Sequence, residues 1–153
     1  MYKKLIDKIK ENTLLEINGK VYKVISKTFY TIKSDLEAEY VKCKLDSHDV
    51  LVIIPDELVY LGKVIENMQY KKTDDKKILY DRKEYISTGS DYQLVKRIEF
   101  GNKDNTEGEC TYWDYENEET NTIISLAILT DNNKRADILA NVIDINNIKI
   151  INI

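Results

Sequence analysis

Apolar and polar residues alternate along most of this chain, the period-two pattern of strands that turn one face toward a core. The clearest local signal is Asn18-Gly19, because both central positions of a type I′ hairpin turn need positive φ, which Asn and Gly supply most cheaply. Leu14 to Ile17 and Lys20 to Ile32 are therefore expected to pair. In the second of these, Tyr22, Val24, Ser26, Thr28, Tyr30 and Ile32 fall on one face, while Val21, Ile25 and Phe29, interleaved with Lys23 and Lys27, fall on the other. Asp35 to Glu37 reads as a turn, Tyr40 to Leu45 as a third strand and Asp46-Ser47-His48-Asp49 as another turn. The apolar run Val50 to Ile54 is a strand ended by Pro55, which cannot donate to a ladder. Leu58 to Ile65 continues in the same style. Ahead of them all, Leu5, Ile6 and Ile9 recur at helical spacing and predict a short amphipathic helix.

Tyr70 to Lys77 has no aliphatic member and marks the expected boundary between two halves. Beyond it the pattern restarts. Tyr80-Asp81-Arg82-Lys83-Glu84-Tyr85 parallels Ile17-Asn18-Gly19-Lys20-Val21-Tyr22, Glu109-Cys110-Thr111-Tyr112 parallels Glu37-Ala38-Glu39-Tyr40, and Ile123 to Ile128 parallels Val50 to Ile54. Three markers in the same order suggest two versions of one β-unit, residues 12–69 and 78–130, followed by C-terminal strands in 131–153. Arg82 suits a positive-φ position poorly, so its turn is expected to be longer or of type I. Residues 135–143 fit a helical stripe and a strand alternation, with the flanking β-like sequence favouring strand. Asp131 to Arg135 reads as a turn, Asn146-Asn147 as another, and Ile148, Ile150 and Ile151 as a terminal strand. The expectation is one mainly β domain over residues 1–153, made of antiparallel sheets in a barrel-like or sandwich arrangement from two similar halves, with a short N-terminal helix.

A chain of 153 residues is long enough to bury about two-thirds of its unfolded surface in one core. Its 23 Lys+Arg and 27 Asp+Glu give a net charge of −4 spread along the whole sequence, which argues against nucleic acid as a partner. Cys43 and Cys110 lie far apart in strand-like runs, without CxxC spacing, and are expected to be free buried thiols. The N-terminus is basic but has no continuous apolar region, so it does not read as a signal peptide. The longest apolar run is far short of the roughly 20 residues that span a bilayer. A cytoplasmic protein that does not insert in membranes is expected.

Candidate chemistry is sparse. Ser47-His48-Asp49 places a hydroxyl, an imidazole and a carboxylate in one turn, but neighbouring side chains there diverge, whereas a triad converges from distant positions. Asp114, Glu116, Glu118 and Glu119 lack the EF-hand order for a cation, and on a strand Asp114, Glu116 and Glu118 would share one face with Tyr115 on the other. No P-loop, dinucleotide fingerprint or zinc spacing occurs. No catalytic residue, metal site or cofactor is therefore predicted. The stretch from Glu107 to Glu119 instead holds the only tryptophan, two of the 11 tyrosines and six carboxylates. Tyrosine packs its ring while its hydroxyl stays wet, as at recognition surfaces. Tyrosines also commonly fill half-buried cross-strand pairs in β-rich proteins, and that structural role is the more frequent one; where the cluster serves recognition instead, Tyr112, Trp113, Asp114, Tyr115 and Glu116 are the expected contacts with another protein.

Tyr22, Glu39-Tyr40, Tyr80 to Tyr85 and Tyr112-Trp113-Asp114-Tyr115-Glu116, followed by Ile123-Ile124-Ser125-Leu126, give the chain a pattern that resembles the bacterial domain of unknown function 4178 family over roughly residues 12 to 150. The sequence departs from that pattern at Val50-Leu51-Val52-Ile53, where a tryptophan would follow the first Glu-Tyr strand, and at Leu126-Ala127-Ile128-Leu129, where acidic residues would follow the Ile-Ser strand. The resemblance implies a β-rich, cytoplasmic, non-enzymatic domain and transfers no activity. The resulting expectation is a protein-binding or scaffold module. The alternatives are an immunity-type or phage-encoded inhibitor whose acidic turn meets a basic partner, and a small-ligand-binding domain with a pocket between the sheets.

Overall fold

The computed structural model describes residues 1–32, 35–101, 108–129 and 134–151, without the side chains of 35–39, 90–93, 108 and 129. Helix α1 (Tyr2–Lys8) precedes a run of antiparallel strands: β1 (Leu14–Ile17), β2 (Lys20–Ile32), β3 (Asp35–Leu45), β4 (Asp49–Ile54) and β5 (Leu58–Val64). Then come β6 (Lys71–Asp74), β7 (Lys77–Tyr80), β8 (Lys83–Phe100), β9 (Gly108–Asn117), β10 (Thr122–Leu129) and β11 (Ile138–Ile143). A 3₁₀ turn (Ile145–Asn147) leads into β12 (Ile148–Ile151). The sheet order is β12-β1-β2-β3-β4-β5-β11-β10-β9-β8-β7-β6, and a further β2–β8 pairing closes eight of these strands into a ring. Closure is possible because β2 and β8 are long enough to serve two neighbours along one edge. The first part of β2 pairs with β1 and its last part with β8, while the first part of β8 pairs with β7.

The two halves of the ring, β2 to β5 and β8 to β11, repeat one pattern of pairing. Asn18 and Gly19 hold φ of 51° and 84°, the left-handed pair that a type I′ turn requires. Asp81 and Arg82 hold φ of 48° and 65°, so the second turn is also a two-residue left-handed one, contrary to the longer or type I form expected from Arg82. The Tyr80–Lys83 pairing on either side of it leaves room for nothing else. Tyr22 faces Leu15 as Tyr85 faces Ile78. The Val24 N–H donates to the Thr13 carbonyl at 2.9 Å as the Ser87 N–H does to Lys76 at 2.8 Å. Tyr30 pairs with Tyr40, and Tyr92 with Tyr112. At the two seams between the halves, Ile32 pairs with Leu94 and Gly62 with Ala140, each residue meeting its own counterpart as an approximate twofold axis demands. The second unit needs β11, so it runs past residue 130.

Three expectations about individual segments change. Asp35 to Glu37 belongs to β3, with Asp35 paired to Ile32 across a register shift. Residues 70–77 do not separate the halves as a loop. They build β6, exposed throughout, and the start of β7, because an edge hairpin tolerates charge on both faces. In β2 a register shift between Val24 and Ser26 leaves Ile25 as a bulge, which reverses the alternation. Tyr22 and Val24 therefore share a core with Phe29, and Tyr30 turns to the other side. Of the predicted turn at Asp131 to Arg135, residues 131–133 lie outside the described residues, as does Glu107 of the aromatic stretch.

The ring is covered on the outside as well as filled inside. One outer core joins Ile6 of α1, Ile9 just after it and Ile148 of β12 to Leu15, Val24, Val41, Cys43, Leu51 and Ile53. A second joins Met68, Ile78 and Tyr85 to Tyr115, Ile124 and Leu126. Both cysteines are free and buried. Lys27, only 1% exposed, sits between α1 and the ring because the bulge turned it inward. Its ammonium donates to the Ile6 and Ile9 carbonyls at 2.6 and 3.0 Å and pairs with Glu99 at 2.8 Å, adding to the Ile9 N–H that already caps the Ile6 carbonyl at 3.3 Å and tying the end of α1 to β2. Replacing it, Lys27→Met, is expected to cost about 2 kcal/mol by taking the ammonium from the Ile9 carbonyl and the Glu99 carboxylate. Amide exchange across residues 1–10 should accelerate more than elsewhere, and unchanged protection there would refute this anchoring. Among the described residues, no helix is long and apolar enough to cross a membrane.

Candidate ligand-binding site at the mouth of the ring

Strand β9 carries the site because its alternation divides five adjacent residues between two environments. Trp113 and Tyr115 point outward into the core with Tyr85 and Ile124. Tyr112 packs in the ring with Tyr30 and Leu94, and Asp114 and Glu116, on the same side of the strand, line a cleft at the ring mouth. Tyr112 and Tyr115 are both buried. The predicted contacts Tyr112, Trp113, Asp114, Tyr115 and Glu116 thus do not form one continuous surface, and a single strand cannot present them as one. The expected sharing of a face holds for Asp114 and Glu116, whereas Glu118 lies in the following turn.

The cleft has a volume of about 800 Å³. Tyr40 of β3, Tyr60 of β5, Tyr112 of β9, Ile54 of β4 and Ile123 of β10 form its inner wall, while Lys3 and Asp7 of α1, Asp56 and Glu57 of the β4–β5 turn and Glu116 stand at its rim. It opens where β8 departs from regular pairing. Register shifts on either side of Gly89 break the ladder, and Thr88 and Gly89 line the gap, a common use of bulges near binding sites. The floor is aromatic: Tyr30 and Tyr40 stack with centroids 4.8 Å apart, and Tyr40 meets Tyr112 edge-on at 6.2 Å.

The polar contents of the ring are sorted by end. Asp114 lies two residues beyond Tyr112, and Lys42 two beyond Tyr40. Since β3 and β9 run in opposite directions around the closed ring and these tyrosines touch, the carboxyl and the ammonium occupy opposite ends. Lys42 lies over the Tyr30 ring at 6.0 Å. Burial drives its pKa down to about 8, with Cys110 opposing and the charges of Lys96 and Lys44 adding to the fall. Burial likewise raises the Cys110 thiol, which Lys96 and Lys42 partly offset.

At the other end, burial pushes the Asp114 carboxyl up to about 6, against a hydrogen bond from Ser125 that favours the ionised form. Burial first, and then the neighbouring Asp114 charge, hold the Tyr60 hydroxyl well above the usual phenol range. Tyr40 is raised in the same direction, first by burial. The Oδ1 of Asp114 is buried without a hydrogen-bond partner among the described residues.

No family model, curated protein or solved structure matches this chain. His48 is exposed at φ 70°, and Ser47 donates instead to Asp49 at 2.8 Å, so the three residues hold a turn together. Among the described residues, no three His, Cys, Asp or Glu side chains converge as metal ligands. The structure adds Tyr60, Ser125 and Lys42, which the sequence did not single out. Their only signal was an inward parity that shows once the ring is closed.

Proposed function

We propose that this chain is a non-enzymatic binding module that takes a small organic ligand into the mouth of the ring. The observation that carries this reading is the Asp114 Oδ1, a buried acceptor without a partner among the described residues, in the wall of a cleft whose inner part holds three tyrosines. Native structures rarely leave such an atom unpaired, and a ligand donor would satisfy it. A concave site with an apolar inner wall and converging polar groups, at the end of an eight-stranded ring, is a common setting for small ligands. Screening small neutral, cationic and anionic fragments against the isotope-labelled chain tests the reading. Binders should move the amide resonances of Tyr112, Asp114 and Ile123 and leave those of exposed Val21 unmoved, and Ile123→Trp should abolish the response by filling the cleft. A screen in which no fragment moves the lining residues would count against it.

A basic protein partner is the second reading, favoured by the carboxylates of Asp7, Asp56, Glu57 and Glu116 at the rim, which would steer such a partner toward the mouth. Kinship with the domain of unknown function 4178 family is part of the proposal on the strength of the spaced Glu-Tyr, Asp-Tyr and Ile-Ser strands, and it brings no activity with it.

A further inference from the structure

We infer that the ligand of the ring mouth is an organic cation, a protonated amine on an apolar body, held by the Asp114 carboxyl among Tyr40, Tyr60 and Tyr112. The inference rests on the small-ligand reading above and narrows it. Three independent features of the cleft agree on charge. The partnerless Asp114 Oδ1 accepts hydrogen bonds and, once ionised, has no donor to give. Tyrosine rings, negative on their faces, attract cations most strongly where water is excluded. At the rim, Lys3 is the one base against Asp7, Asp56, Glu57 and Glu116 among the described lining residues, so the field at the entrance favours cations and repels anions.

The apolar half of the ligand follows from Ile54 and Ile123, which with Ile6, Ile32 and Leu58 supply the aliphatic part of the wall. The basic groups of the interior, Lys42 and Lys96, lie beyond the tyrosine floor at the opposite end and do not compensate Asp114 by contact. An ammonium group donating to Oδ1 would thus supply both the missing hydrogen bond and the missing charge. A neutral alcohol could supply only the first.

Three ligands of one shape separate these possibilities: cyclohexylamine, protonated near neutral pH, cyclohexanol, and cyclohexanecarboxylate, each titrated into the full labelled chain. The amine should move the Tyr112, Asp114 and Ile123 resonances with an affinity about tenfold above that of the alcohol, and the carboxylate should not bind. In Asp114→Asn the advantage of the amine should vanish. In Glu116→Gln, which alters only the rim, it should shrink without disappearing. Alcohol or carboxylate binding as tightly as the amine would overturn the cation inference while leaving a small-ligand site standing, and so would an amine that keeps its advantage in Asp114→Asn. Failure of all three ligands together with the wider fragment screen would remove the small-ligand reading itself.

Discussion

Asp114→Asn is expected to make the protein more stable at about pH 8, by roughly 2 to 3 kcal/mol, and to leave it almost unchanged at about pH 4. The reason is the direction of the shift. Burial raises the carboxyl from 3.8 to about 6 in the folded state, so between those values the native protein holds the proton and the unfolded chain releases it. Stability therefore falls as pH rises through that window and levels off above the folded value. An amide at this position does not titrate and spares the fold a buried charge. Other groups face the site: Tyr40 and Tyr60 keep their protons throughout, being raised, while Tyr112, Glu116, Asp7, Asp56, Glu57 and Lys3 are common to both proteins. The difference between the two stability curves thus isolates Asp114. Denaturant unfolding of both proteins across this range is the measurement, and a flat difference, or one that grows toward acid, would contradict the buried-carboxyl account. The same substitution is expected to weaken amine binding, so a gain in stability and a loss of ligand would arise from one atom.

Gly62→Ala should be strongly destabilising. Gly62 pairs with Ala140 at the β5–β11 seam, and a methyl group there would overlap the Leu139 carbonyl oxygen and the Ala140 side chain. Backbone cannot step aside as a flexible side chain can. A cost of about 3 kcal/mol is expected from overpacking, which lowers the melting temperature by roughly 6 to 12 °C for a chain of this size. Gly19→Ala is the control. Its methyl meets nothing within 4 Å, so it carries only the strain of a left-handed φ, about 1 kcal/mol. Because Tyr60 lies two residues from Gly62 on the same strand, opening this seam should also loosen the cleft, seen as faster amide exchange at Tyr60. Equal melting temperatures for the two variants would show that the seam is not the tight contact it is described as.

Much of the local architecture was legible in the residues. Asn18-Gly19 announced its turn because Asn and Gly adopt positive φ at little cost whatever surrounds them, and Leu5, Ile6 and Ile9 announced α1 by spacing. The order of similar segments in the two halves was visible as well, since Tyr22 and Tyr85 follow equivalent turns and Tyr40 and Tyr112 occupy equivalent strands. The hairpin at residues 71–80 was not visible, because an edge strand exposed on both faces leaves no apolar periodicity to read. The reversal of faces in β2 was not visible either. A bulge at Ile25 is a matter of how β2 meets β3, and nothing in Ile25 requires it.

What the sequence determined by itself is therefore most of the strands, the Asn18-Gly19 turn, the helix and the repeated order, all consequences of backbone preference and period-two alternation acting over a few residues. The tertiary structure alone decided that the strands close into a ring, which face of β9 looks inward, and that Asp114 and Lys42 lie at opposite ends of one interior. The physical reason is that the ring is buried on both sides. In β4, Val50 and Val52 fill the interior while Leu51 and Ile53 pack outside, so inward and outward positions are equally apolar. The distinction between them comes only from pairings of residues far apart in the chain, Ile32 with Leu94 and Gly62 with Ala140.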